Sequence, residues 1–285
     1  MSKSCINLYL SILLVISTGC YLAAYNPLKN TSNGEQDPVR FLEKTFEEID
    51  IQNDVVFGET VNSKGEQQKL LLDVYTPDND PMIDRPVIVW IHGGGFRYGN
   101  DKSQSYIVEL ATRFAKKGYV CISIDYRVRE KPMDDISGTI SDAVEDAAKA
   151  LAWVRENEKS LGIDASKMVV GGGSAGGILG SSLCLNDQPD KKDSEGVIGF
   201  INLWGTPSAK WMALDIDKND PPTIMVHGTD DQLVAYSSAV DLAERLKANN
   251  IKHELVTIEG AGHTPVDHMD EFEINISKFL YAILN

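Results

Sequence analysis

Apolar residues fall along this chain in short runs separated by longer amphipathic stretches. Residues 86–91, Pro-Val-Ile-Val-Trp-Ile, are a continuous run, and 119–124, 167–171, 197–203, 223–226 and 255–258 are further short, mostly apolar runs. A strand buried on both faces needs such a run, whereas a strand with one wet face would alternate. Residues 55–57 and 69–75, joined by a turn at Gly65, read as edge strands. Ile140, Ala143, Val144, Ala147, Leu151 and Val154 recur at helical spacing with charged residues between them. Residues 103–117, 178–185, 235–248 and 266–284 also read as helices. The first stops at Gly118, a residue suited to the left-handed position that ends a helix. Strands that alternate with helices predict an α/β fold, a mostly parallel sheet flanked by helices on both faces.

The candidate chemistry sits where strands end. The run 167–171 leads straight into Gly172-Gly173-Ser174-Ala175-Gly176 and then into a helix. A serine on so tight a strand-to-helix turn exposes its hydroxyl as a nucleophile, and small residues two positions either side leave room for the turn. A free hydroxyl is a weak nucleophile and needs a base, and the base needs a carboxylate to hold its tautomer. Both follow in the chain. His227-Gly228-Thr229-Asp230-Asp231 comes after strand 223–226, and Gly260-Ala261-Gly262-His263 after strand 255–258. Ser174, Asp231 and His263 therefore form the candidate triad. Taken singly, a serine in a glycine turn, an aspartate cap and a loop histidine are ordinary structural residues; their joint order is not. Strand 86–91 ends in His92-Gly93-Gly94-Gly95-Phe96. Glycines let backbone N–H groups approach a developing oxyanion, so Gly94, Gly95 and Ala175 are the candidate donors. Ala175 opens a helix, where its N–H has no partner and the dipole favours negative charge.

His-Gly-Gly-Gly-Phe at 92–96, Asp125-Tyr126-Arg127, Gly-Gly-Ser-Ala-Gly-Gly at 172–177 and His-Gly-Thr-Asp-Asp at 227–231 resemble the α/β-hydrolase esterases. The nearest branches are the hormone-sensitive-lipase-like carboxylesterases and the small bacterial acetyl and feruloyl esterases. The resemblance runs from about residue 66 to the end. It implies an α/β-hydrolase fold, Ser174 as nucleophile, His263 as base and Gly94 and Gly95 as oxyanion donors. It also implies that His92 and Asp125, Tyr126 and Arg127 brace the loops around that hole. Asp230 and Asp231 are adjacent. The family places its acid four residues after the histidine of His-Gly-Thr, which selects Asp231.

The start of the chain reads as an export signal. Lys3 precedes an apolar stretch, 6–16, and then Ser17-Thr18-Gly19-Cys20. A basic start, a short apolar core and small residues before a cysteine look like a bacterial lipoprotein leader, with Cys20 the lipidated residue. Ser17 stands where such leaders carry a leucine-like residue. Residues 1–19 are then the leader, 20–40 a polar tether and 41–285 a single hydrolase domain without a large inserted lid. The formal net charge of −15 disfavours nucleic acid and anionic surfaces, which leaves a lipid on Cys20 as the route to a membrane. Histidines and cysteines show no metal-ligand spacing, and the scheme needs no cofactor. Cys121 and Cys184 read as buried apolar residues; the compartment would permit a disulfide between them.

The short span 204–222 between two strands leaves no room for a helical lid. A cover must come from residues 41–54 or from short loops, which implies an open, shallow cleft. Phe96, Trp204 and Trp211 are candidate substrate-binding aromatics, although each is equally suited to a core. The expected activity is hydrolysis of short-chain acyl esters, on a small ester or an acylated carbohydrate such as an acetylated or feruloylated polysaccharide. A serine peptidase or amidase of the same fold and a non-catalytic binding module are the alternatives.

Overall fold

The computed structural model describes residues 38–186, 193–206 and 214–285. The expected leader, Cys20, most of the tether and Trp211 lie outside the described residues. Eight strands form one sheet: β1 (Ile49–Val61), β2 (Gln67–Pro77), β3 (Arg85–Ile91), β4 (Val120–Ile124), β5 (Ile163–Gly173), β6 (Val197–Leu203), β7 (Thr223–Gly228) and β8 (His253–Ile258). Their spatial order is β1-β2-β4-β3-β5-β6-β7-β8. β1 and β2 pair antiparallel, as do β2 and β4; every later pairing is parallel. The helices are α1 (Ser105–Ala115), α2 (Ile136–Glu156), the short α3 (Glu158–Leu161), α4 (Ala175–Cys184), α5 (Tyr236–Ala248) and α6 (Met269–Leu284).

Two apolar cores cover the two faces of the sheet. Val87, Val89 and Ile91 of β3 pack with residues of α2, α4 and α5, whereas Ile88 and Trp90 pack with residues of α1 and α6. That is the two-residue period of a strand, with both sets of side chains buried. It explains why β3 reads as an unbroken apolar run. Cys121 faces the second core and Cys184 the first; both are free thiols, so the disulfide that the compartment would permit does not form.

The N-terminal part departs from expectation in two ways. The strand expected at 55–57 is the middle of a much longer β1, and β2 lies inside the sheet between β1 and β4. The front of β1 is polar and largely exposed, so no apolar periodicity marks it; backbone pairing to β2 from Ile49 onward makes it a strand. Residues 41–54 do not cover the cleft. Phe41 N–H donates to Lys117 O, and Thr45 and Phe46 N–H donate to Lys116 O, which ties this segment to the end of α1. Residues 38–40, read as the end of the tether, belong to the folded domain, because Arg40 pairs with Asp80 and donates to Gly118 O.

Beyond β4, Arg127 fastens the chain to α2. Asp146 is wholly buried, and its carboxylate accepts from Arg127 N–H at 2.9 Å, Nε at 2.7 Å and Nη2 at 2.9 Å. Without Asp146, Arg127 keeps Asp142 and Glu145 but loses its one buried carboxylate partner. Asp146→Ala is expected to destabilise the fold by about 1.5–3 kcal/mol. A guanidinium-chloride unfolding midpoint unchanged from wild type would contradict this account of the pair.

Candidate active site

Ser174 stands at the turn from β5 into α4 with φ 54° and ψ −116°, a backbone that side-chain-bearing residues rarely adopt. Its neighbours are glycines for lack of space. A Cβ on Gly176 would lie 2.1 Å from Ile91 O, and one on Gly172 would lie 2.5 Å from the Gly176 carbonyl carbon. The turn is pinned by Ser174 N–H donating to Leu203 O at 2.9 Å, from the end of β6.

The other two triad positions come from the ends of β7 and β8. Ser174 Oγ lies 2.9 Å from His263 Nε2, and His263 Nδ1 lies 2.7 Å from Asp231 Oδ2. Asp231, not the exposed Asp230, meets the histidine. The Asp230 carboxylate is exposed and, among the described residues, accepts only from Thr229 Oγ1, at 3.3 Å. Asp231 Oδ1 accepts from the Leu233 and Val234 N–H groups at 2.8 and 2.9 Å. Burial pushes the Asp231 carboxyl up; the bonds from His263 and these amides outweigh it and hold it below the usual carboxylate value.

A second imidazole reaches the same carboxylate, and sequence reasoning missed it. His227 Nε2 is 2.9 Å from Val234 O and 3.1 Å from Asp231 Oδ2. Burial holds His227 below the usual histidine value, so it is neutral and Nε2–H is its donor. Its position four residues before Asp231 served as a spacing mark in the sequence; the same spacing brings the two side chains together.

The loop after β3 carries the expected backbone donors. Gly94 and Gly95 have φ of 99° and 60°, and a Cβ on Gly94 would lie 2.1 Å from Asn100 Cγ. Among the described residues no hydrogen bond uses the N–H of Gly94 or Gly95. Ala175 is the first residue of α4, where an N–H has no partner within the helix. Gln104 Oε1 accepts from Gly93 N–H at 2.9 Å, Asn100 Nδ2 donates to Arg97 O at 3.1 Å, and Tyr126 Oη donates to His92 O at 3.0 Å. Gln104 and Asn100 carry no sequence signal, since each acts through a loop whose path only the fold sets. The His92 ring stacks on Tyr126 at 4.2 Å and its Nδ1 donates to Gly93 O; burial pushes it down to about 4, so it stays neutral. Asp125 accepts from Lys102 N–H at 2.8 Å, and burial pushes its carboxyl up to about 6. Asp125, Tyr126 and His92 thus brace the loop directly. Arg127 points the other way, into α2, and fixes the end of β4 instead.

Ser174, Ala175, His263, Gly94 and Gly95 line one cleft of about 630 Å³. Phe96, Met133, Ile136, Leu233, Val234 and Val266 supply its apolar walls, so short loops and the start of α2 do the work of a cover. A second hollow of about 580 Å³ lies between α2 and the end of α4 and contains no member of the triad. Phe96 reaches the cleft, as expected. Trp204 does not: it is wholly buried against Tyr106 and Phe272, with ring centroids 5.6 and 5.9 Å away, and its apolar bulk fills the core beneath the turn.

Comparison with known proteins agrees with this geometry. The BD-FAE family model matches residues 72–198, and the prolyl oligopeptidase family model matches residues 206–282. Esterase LipC of Mycobacterium tuberculosis is 28% identical over 240 residues, covering 70% of this chain and 58% of its own length. A probable isoprenylcysteine alpha-carbonyl methylesterase of rice, ICMEL1, is 33% identical over 266 residues, covering 77% of this chain and 60% of its own. The chain thus spans less than two thirds of these curated relatives. Among solved structures, the apo form of Thermogutta terrifontis esterase 2 is 26% identical with a TM-score of 0.64, over 79% of this chain and 94% of that one. The same esterase with butyrate bound gives 26% and 0.63 over the same shares. By sheet topology, by the chain order of Ser174, Asp231 and His263, and by these likenesses, the chain has the α/β-hydrolase fold and is similar to serine esterases of that fold.

Proposed function

We propose that the protein is a serine carboxylic-ester hydrolase acting on short-chain acyl esters. The observation that carries this reading is the continuous hydrogen-bonded path from Ser174 Oγ through His263 to Asp231, at 2.9 and 2.7 Å, opening on an apolar cleft. His263 Nε2 takes the Ser174 proton as Oγ attacks the ester carbonyl. The carbonyl oxygen becomes an oxyanion held by the N–H groups of Gly94, Gly95 and Ala175. His263 then gives its proton to the leaving alcohol oxygen as the C–O bond breaks. Water, deprotonated by His263, attacks the acyl-enzyme; the acid leaves and the proton returns to Ser174. Asp231 holds the Nδ1–H tautomer throughout and stabilises the imidazolium, its own charge fixed by three hydrogen bonds.

The short-loop cover and the modest cleft volume support small acyl groups, and propionate and butyrate are bound in structures of the Thermogutta esterase. Within that class we read acetyl or feruloyl groups on a polysaccharide as the substrate, on the strength of the export signal. Lys3, the apolar stretch 6–16 and Cys20 support export and lipid anchoring, facing periplasm or cell surface. A peptidase or amidase is the second reading, favoured by the prolyl oligopeptidase match over the segment that carries Asp231 and His263.

The test is a set of rate measurements on an aryl acetate, an aryl octanoate, acetylated xylan, a feruloylated oligosaccharide and a peptide anilide. The acetate is expected to exceed the octanoate in kcat/KM; the reverse order would remove the short-acyl assignment. Faster cleavage of the anilide than of every ester would establish the peptidase instead. Ser174→Ala is expected to lower kcat/KM on the aryl acetate by about 10³-fold or more. Asp231→Asn should cost far more than Asp230→Asn, and the opposite ranking would reassign the acid. For the anchor, Cys20→Ser is expected to move the protein from the membrane to the soluble fraction; retention at the membrane would refute lipidation at that cysteine.

A further inference from the structure

Acidic residues outnumber basic ones in this chain, 42 to 27, yet none of the residues lining the catalytic cleft is Asp or Glu. Arg97 is the one Lys or Arg on that lining among the described residues. The other arginines are all engaged. Arg40 and Arg85 pair with Asp80, and Arg113 with Glu109 and Asp270. Arg127 and Arg129 are held by carboxylates of α2 and the turn before it. Arg155 and Arg245 donate to backbone carbonyls. The Arg97 guanidinium makes no hydrogen bond or ion pair among the described residues. Arg129, whose backbone bridges to that of Arg97, pairs with both Asp135 and Asp142.

The backbone at Arg97 is fixed, so the free guanidinium stands on a rigid base. Arg97 N–H donates to Gly94 O at 3.2 Å, Arg97 O accepts from Asn100 at 3.1 Å, and Arg129 N–H donates to Phe96 O at 2.8 Å. The same bonds tie this residue to the loop that presents Gly94 and Gly95 to the cleft. Arg97 is itself exposed, so a charge pair that it forms with a ligand is partly screened and of modest strength. A guanidinium also matches a carboxylate through two parallel N–H···O bonds.

We propose that Arg97 is a specificity residue that makes the cleft favour esters carrying a carboxylate on the acyl or alcohol half. This rests on the ester-hydrolase reading. The ester sits at Ser174, and its carboxylate pairs with Arg97 along the apolar wall. The overall negative charge of the chain repels polyanions at long range, where salt screens it; a single carboxylate inside the cleft meets Arg97 at contact distance.

The test measures binding without turnover. Ser174→Ala is titrated, by NMR, with two pairs of esters that differ in charge: 3-acetoxybenzoate against 3-acetoxybenzamide, and monophenyl adipate against phenyl hexanoate. Adding Arg97→Gln is expected to weaken the carboxylate member of at least one pair about fivefold more than its neutral partner, the order of one solvent-accessible charge-assisted contact. Arg97→Lys should keep part of the preference. Charged and neutral members weakened equally, or neither weakened, would overturn the proposal. Turnover of the same four esters by the wild type separates the two readings. Binding preference without hydrolysis would remove the esterase and uphold the anion site; hydrolysis without preference would do the reverse.

Discussion

The catalytic geometry depends on one steric constraint, the approach of bare backbone to bare backbone where β3, β5 and β6 end. Gly176 presses on the Ile91 carbonyl, Gly172 on Gly176, and Gly177 on Gly205, where an added Cβ would lie 2.8 Å from the Gly205 Cα. Any side chain at these positions would push α4 away from the sheet. With none, the first amide of α4 and the glycine loop after β3 share one cleft with Ser174. The turn holds Ser174 at a positive φ, a strain of about 1–3 kcal/mol, and the buried strands on either side keep it in place.

Burial then sorts the polar groups around that turn. His92 and His227 are both enclosed and both held neutral, so each acts as a fixed hydrogen-bonding wedge. Asp231 is equally enclosed but receives enough donors to stay ionised. His263 is the more accessible imidazole of the three and touches both the hydroxyl and the carboxylate. One kind of side chain thus serves as brace, as second donor to the acid and as the link to the serine. The difference lies in how much water each ring can reach.

Much of this was legible in the sequence, and the reason is the same for each part that was. β3, β4, β6 and β7 are wholly or largely buried, so their composition is predominantly apolar, with buried Ser123, Asn202, Thr223 and His227 the exceptions. The turn at Ser174 tolerates only small residues, so it left a mark of glycines. The triad positions follow strand ends, which the apolar runs locate. The polar front of β1 escaped because backbone pairing alone makes it a strand. Trp204 misled because a tryptophan just past a strand end has the same local pattern whether it faces a cleft or a core. Here Tyr106 and Phe272, distant in sequence, enclose it. Asn100, Gln104 and His227 act through contacts that only the folded path creates. That Arg97 has no partner among the described residues depends on where every other described charge sits, so no window of sequence contains it.

The hydrogen bond between Ser174 and His263 joins residues 89 positions apart, and the one from His263 back to Asp231 spans 32 positions within that interval. Between serine and histidine the chain must lay down β6, β7 and β8 in order, each a parallel pairing across a crossover. Such pairings are slow, because the loop must close before any contact rewards it. The turn that strains Ser174 is complete once β6 is in place, because its amide donates to Leu203 O. A chain folded only that far would display a hydroxyl with no base beside it. The contact between Ser174 and His263 therefore arrives only with the closing of the last strand, and a copy folded short of β8 lacks it.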